Sequence, residues 1–393
     1  MDFQLTPCEE KLVVPHSRRS VSFGILAEDG VAETRVPLTP QGVEIFVAQG
    51  HRVVVQRGLG LAARFSDESY ASAGAEVVGS VGEVLESDVI VKVSPPSGEQ
   101  AGLMRKGQTL VCLIGRNEWD SAPFAVLSAK KVSVIAADAM VDAGSAEPAL
   151  SRSLGQMEGV MAITTAAHLL EQTNGGKGVM IGGVTGVPPT EIVIIGADAA
   201  ALCATRAASA LGAYVKVFDT SLAKLHAMDG RLPDRVFTSV LHPQALTKAL
   251  RSADILICTR RPDAGGQCFC VPADYLALIK HDAVVIDLDV VAGGRTELSR
   301  PTDSSAPTFR ASGLFFHCLP DITVLAPHTA SIIISDVVSP VLSLLAAEGG
   351  VDGAARVSPS MATAVAMYRG TVTNKALAAR SGLEYYDLRL LLV

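Results

Sequence analysis

The chain has 393 residues, 49% apolar and 19% charged; that length exceeds one ordinary core and that balance lies outside the disordered range, so two successive units are expected. A formal net charge of −7, with no basic block beyond the Arg18–Arg19 pair, excludes a surface for nucleic acid or anionic lipid. Seven scattered cysteines form neither a disulfide framework nor a zinc set, and the close pair Cys268 and Cys270 cannot complete four ligands, so no metal is expected.

The polar opening has no signal-peptide core and no apolar run is expected to reach about 18 residues, which predicts a cytoplasmic protein with no membrane partner. From there, short apolar runs alternate with alanine-rich stretches: VSFGILAE, GVEIFVAQG, RVVVQ, DVIVKV, TLVCLIG and VSVIAAD. This is the rhythm of βαβ units and a parallel sheet. SRSLGQMEGVMAITTAAHLLEQ has helical periodicity and predicts a connecting helix. NGGKGVMIGGVTGVPPTE, rich in Gly and Pro, predicts a loop or hairpin leading into a second unit. EIVIIGA, YVKVFD, DILICT and AVVIDLD then predict the strands of that unit. Beyond residue 325, SDVVSPVLSLLAAEGG and SMATAVAMYRGTVTNKALAARSG read as helices that return to pack on the first unit.

One stretch carries a chemical signal. EIVIIGADAAALCATRAASALGAYVKVFD, residues 191–219, reads as the strand, tight turn and helix of a dinucleotide site. In such a turn the first glycine permits the bend, the second lets backbone approach the pyrophosphate, and the third lets helix and strand pack closely. Gly196 keeps the first place, Asp198 occupies the second and Ala201 the third, while Asp219 ends the next strand where an acidic residue takes the ribose hydroxyls. Ala201 is a mild change. A carboxylate about 4 Å from a phosphate charge is repelled by about 1 kcal/mol in water and about 4 kcal/mol at an effective dielectric near 20. That is a loss of about fivefold to nearly a thousandfold in affinity. The alternative is an Asp198 that turns outward and leaves a weakened NAD site.

Stretches running nearly end to end carry a resemblance: ETRVPLTPQGVEIFVAQGHRVVV, FSDESYASAGAEVV, DVIVKVSPP, GKGVMIGGVTGVPPTEIVIIGA, LGAYVKVFD, HCLPD and TNKALAARSGLEYYDLRLLLV. On these residues the chain resembles the alanine dehydrogenase and transhydrogenase α-subunit family, most closely its alanine-dehydrogenase-like members. The resemblance implies an α/β fold of two Rossmann-like domains with parallel sheets. An NAD-binding domain, residues 151–325, would be inserted into a substrate domain made of residues 1–150 and 326–393. It also implies an active site in the cleft between them and a homo-oligomer, commonly a hexamer. The reaction it implies is reversible, NAD-linked oxidative deamination of L-alanine to pyruvate and ammonia, a step of L-alanine catabolism.

Residue by residue, the expected site is partly kept. Arg35 in ETRVPLTP matches the family arginine, whose planar fork suits a substrate carboxylate. Lys92 in DVIVKVSPP matches the family lysine, and its place in an apolar run favours a site over a surface role. Lys224 and Ser239 are compatible with contacts on the adenosine side. The family histidine falls at Gly115, a loss shared by members of the closest subgroup. The family's D-x-x-I-D-Q-G-G reads DLDVVAGG, so Asp287 stays while the catalytic carboxylate becomes Val291 and the glutamine Ala292. Asp289 would share a face with Val291 if the strand continued, about 6 to 7 Å back along it, and is a possible stand-in. Asp321 stands where relatives carry asparagine, adding negative charge near the expected nicotinamide. His328 replaces an arginine and reads as a loop histidine or a new acid/base, and Gly155 and Gln156 replace a Ser-Glu pair.

Two functions compete on these residues. Arg35, Lys92 and Asp219 support an NAD-dependent dehydrogenase of alanine or another small 2-amino or 2-keto acid. Asp198, Gly115 and Val291 support a catalytically inactive paralogue that binds a small carboxylate or joins a mixed oligomer. A proton-translocating transhydrogenase ranks behind both.

Overall fold

The protein is described by a computed structural model covering residues 20–28, 33–115, 120–142, 144–145, 147–233, 236–259 and 269–392. Cys268 lies outside the described residues, and Cys270 is exposed. The chain first lays down β1 (Ser22–Ile25), β2 (Arg52–Gln56), β3 (Glu76–Val78), β4 (Val89–Val91), β5 (Thr109–Cys112) and β6 (Ser133–Ala136). It then forms β7 (Glu191–Ile195), β8 (Tyr214–Asp219), β9 (Phe237–Val240), β10 (Ile255–Cys258), β11 (Val284–Asp287), β12 (Thr308–Ala311) and β13 (Leu314–His317). Two more strands, β14 (Val365–Tyr368) and β15 (Thr371–Val372), close the series.

These strands make two sheets, ordered β15-β14-β6-β5-β4-β1-β2-β3 and β12-β13-β11-β10-β7-β8-β9. Both are parallel except at one edge, where β14, β15 and β12 run antiparallel to their neighbours. Central strands such as β4 and β10 are buried along their whole length, because helices cover both faces of a parallel sheet. This is why VIV and ILIC read as unbroken apolar runs.

Four helices position the sites. Helix α1 (Ala149–Leu170) leads from the first sheet to the second and lies along α2 (Ala199–Ala210). The approach is backbone to backbone: a Cβ added at Gly159 would stand 2.1 Å from the Ala200 carbonyl oxygen. Helix α3 (Leu222–Asp229) follows β8. Helix α4 (Pro327–Ala347) returns to the first sheet, where its Ile334, Val338 and Leu342 share a core with Phe23, Phe46 and Val91. By length and mean hydropathy α4 is apolar enough to cross a membrane, but its apolar residues are interrupted by Ser, Asp and Pro and its buried face packs in that core.

Two other segments differ from the sequence reading. GVEIFVAQG sits mostly in a helix, Pro40–Ala48, started by Thr39 capping the Gly42 N–H and by proline at its first position. Its buried Val43 and Phe46 are three residues apart, a helical spacing that a short apolar run conceals. The tail segment read as one helix instead folds into a short helix, the β14–β15 hairpin, and the helix Lys375–Ser381. Arg369 and Gly370 at the hairpin tip both have positive φ, 47° and 87°, the geometry of a two-residue turn that matches strand twist.

Candidate functional sites at the carboxyl ends of the two sheets

In open parallel sheets, ligands bind beyond the carboxyl ends of the strands. At that edge of the first sheet β1, β4, β5 and β6 deliver Glu28, Lys92, Cys112 and Asp138 within three residues of their ends. Lys92 and Glu28 are buried and paired at 3.2 Å. Glu28 also accepts from the Val93 and Ser94 N–H groups at 2.9 and 3.2 Å. Burial raises the Glu28 pKa above the usual carboxylate range, against the pull of Lys92. Burial, reinforced by Asp138, likewise raises the Cys112 thiol, which stays protonated.

Arg35 stands in the segment after β1, buried to 2% of its surface. Its Nε and Nη2 donate to the two carboxylate oxygens of Glu33 at 2.7 and 2.6 Å, and its Nη1 donates to Asp321 Oδ2 at 2.8 Å. Burial alone would lower the Arg35 pKa, but Asp321 and then Glu33 outweigh it and keep the guanidinium charged. The fork that the sequence reading assigned to a ligand carboxylate is thus engaged inside the protein.

Gly115 donates its N–H to Asp138 Oδ2 at 2.6 Å, and Ile114 donates to Oδ1 at 3.0 Å. A Cβ at Gly115 would stand 2.8 Å from that same Oδ2. A side chain there, histidine included, requires Asp138 to move. His328 lies in the first turn of α4 rather than in a loop, with Nδ1 2.8 Å from the Ala63 carbonyl oxygen and its ring stacked on Phe65 at 4.5 Å. Since a carbonyl only accepts, Nδ1 carries the proton in that contact.

In the second sheet, chain order reverses between β7 and β10, which makes the crevice beyond their ends the switch point. Gly196 follows β7 there with φ +124°, and a Cβ would lie 2.0 Å from Oγ1 of Thr259, the residue after β10, so glycine is required on two counts. Asp198 turns inward as the N-cap of α2: its Oδ1 accepts from the Ala201 N–H at 2.8 Å. Burial raises its pKa to about 6, against hydrogen bonds from Ala201 and the Thr259 side chain, with the nearby carboxylates Glu158 and Glu147 adding to the rise. Glu158 is itself buried on α1, one residue from the Gly159 contact, while Gly155 faces Ala199 and Gln156 is exposed. The first-turn amides of a helix are an anion site; here a side-chain carboxylate already occupies one of them.

Asp219 ends β8 and accepts from the Ser221 N–H at 2.7 Å. Ser221 in turn caps α3 at the Lys224 N–H. Ser239 lies on β9 opposite Phe218, so these residues share one edge of the sheet. Asp287 is buried at the end of β11 and bonded to the Asp289 N–H, the Arg295 N–H and the Ser299 hydroxyl. The strand ends at Asp287, and Val290–Ala292 is a 3-10 turn. The premise that put Asp289 and Val291 on one strand face therefore fails: Asp289 is buried, and Val291 packs among apolar neighbours.

Sequence reasoning missed Glu28, Glu33, Asp138, Glu158, Thr259 and Arg295. Arg295 is buried against the Thr259 carbonyl, its Nη1 3.4 Å away and its Nε without a hydrogen-bond partner. A carboxylate following each apolar run was the one available signal for Glu28 and Asp138.

Two parallel sheets, buried charges at the strand ends of one and a nucleotide-type turn at the switch point of the other define a two-lobed α/β protein of dehydrogenase type. Residues 24–155 match the alanine dehydrogenase/PNT N-terminal domain and residues 162–375 the alanine dehydrogenase/PNT C-terminal domain. The chain belongs to this alanine dehydrogenase/PNT family. It is 31% identical over 365 residues to an alanine dehydrogenase of Mycolicibacterium smegmatis, covering 93% of this chain and 98% of that one. A solved L-alanine dehydrogenase superposes with a TM-score of 0.82 at 26% identity, covering 91% and 98% of the two chains. A transhydrogenase from Sinorhizobium meliloti shares the fold, with a TM-score of 0.73 at 23% identity over 91% of this chain and all of that one. The C-terminal family match extends past the second sheet into α4, β14 and β15, which the fold returns to the first.

Proposed function

We propose that this family member has lost NAD-linked deamination of alanine and persists as a non-catalytic relative, built from a substrate-type unit (residues 1–150 and 326–393) and an NAD-type unit (151–325). The observation that carries this reading is Asp198, whose carboxylate caps the Ala201 N–H at the head of α2. A pyrophosphate arriving there loses a donor and meets a like charge. Gly115 supports the reading, since Asp138 fills the space a histidine side chain needs, as does Val291, an apolar residue in place of a family carboxylate.

A second reading, a dehydrogenase with altered groups, draws on one observation: the Asp198 pKa of about 6 makes the carboxyl neutral in mild acid and removes the repulsion. If NAD binds, Asp219, Lys224 and Ser239 line the edge that would hold its adenosine half, and the cofactor would accept hydride from the amino acid. The exposed apolar side chains of Met180, Val184 and Val187 around the Val184–Val187 bridge support assembly of copies of this cytoplasmic chain. The deciding experiment is an NADH fluorescence titration of the purified protein with an assay of pyruvate plus ammonia. Neither binding nor turnover is expected at neutral pH; micromolar binding with turnover overturns the proposal.

A further inference from the structure

Arg35 has five N–H donors in a planar fork, and four of them are engaged: Nε and Nη2 on Glu33, and Nη1 on both Asp321 Oδ2 and Thr323 Oγ1 at 2.8 Å. Glu33 closes the edge that grips a carboxylate through two parallel bonds. Asp321 is itself held in place, because its Oδ1 accepts from the Thr323 N–H at 3.0 Å and from the Thr323 hydroxyl at 2.6 Å. Both side chains are buried, and the contact joins the segment after β1 to the segment that leaves the second sheet.

We propose that Asp321 is a specificity-determining residue: it stands on Arg35 as a tethered carboxylate and excludes free small monocarboxylates of the pyruvate type from the guanidinium. Three features carry this. Asp321 is held on the guanidinium by Thr323, so a free ligand must displace an intramolecular partner that is already in place. The guanidinium already faces two carboxylates, so a third approaches a net negative cluster. Lys92, the other cation of the cleft, is paired with Glu28. The inference deepens the proposed function by naming what keeps substrate out, whereas Asp198 concerns the dinucleotide.

The test is calorimetric titration of pyruvate into the full chain, with NAD+ titrated separately so that the two sites are read apart. Wild-type protein should show no binding at millimolar pyruvate. Asp321→Asn keeps the side-chain shape and a carbonyl oxygen for Thr323, and should gain roughly tenfold or more in affinity. That gain should vanish in Asp321→Asn combined with Arg35→Met. Should Asp321→Asn not fold, Thr323→Val takes its place: it frees an Nη1 donor and unseats Asp321, and should gain roughly threefold. Wild-type binding equal to that of the variant, or a gain that survives without Arg35, overturns the proposal.

Discussion

Replacing Asp198 by asparagine isolates the charge at the head of α2, because asparagine caps a helix about as well as aspartate. The carboxyl rises from 3.8 to about 6 on folding, a difference worth at most about 3 kcal/mol. Asp198 is only half-buried, and solvent screening brings this to about 1–2 kcal/mol. A carboxyl whose pKa is raised on folding stabilises the folded state below its unfolded value, and that contribution is lost as pH rises through about 6. Urea unfolding of both proteins should therefore show Asp198→Asn gaining about 1–2 kcal/mol on wild type between pH 4 and pH 8. Taking the difference cancels other titrations, such as that of the buried His317, which burial pushes down to about 4. NAD+ follows the same group: its affinity for wild type should rise as pH falls through about 6. For Asp198→Asn it should be flat with pH and about fivefold to a thousandfold tighter at pH 8. A constant stability difference, together with NAD+ binding at pH 8 no tighter in the variant, refutes the reasoning.

Restoring the family histidine with Gly115→His should not restore pyruvate-plus-ammonia turnover and should lower stability by about 1–3 kcal/mol, as Asp138 is displaced; a melt and an activity assay read both. Gly196→Ala places a methyl 2.0 Å from Thr259 Oγ1 at positive φ and should cost about 2 kcal/mol or more in urea unfolding. Lys92→Met leaves Glu28 buried without its cation and should cost about 3–5 kcal/mol, with Lys92→Met plus Glu28→Gln recovering most of it; the double-mutant cycle by denaturation checks this.

The strands of both sheets were legible because a parallel strand covered on two faces must be apolar throughout, and β7, β8, β10 and β11 fall on the runs that predict them. The β14–β15 hairpin was not, since its strand VAMY follows an alanine-rich helix and pairs with β6, more than 220 residues earlier. Asp289 was misjudged for a local reason: the strand stops at Asp287 and the chain winds into the 3-10 turn Val290–Ala292, closed by Gly293 at positive φ. Lys92 stood out as a cation inside an apolar run and Arg35 by its match to the family arginine, yet nothing near Arg35 in sequence names Asp321 as a partner.

By itself the sequence determined the alternation of strand and helix, the nucleotide-type turn at Gly196 and the oddity of an acid at position 198. These are local properties, written in apolar period and backbone freedom. Only the tertiary structure decided which way Asp198 faces and what holds Arg35. The first depends on Thr259, the residue after β10, meeting Asp198 beside the Ala201 N–H, with burial between the elements raising the carboxyl. The second depends on the chain returning from the second sheet to lay Asp321 against the first. Electrostatic pairing is a matter of distance in space, and the contacts with Thr259 and Asp321 have no trace in sequence spacing.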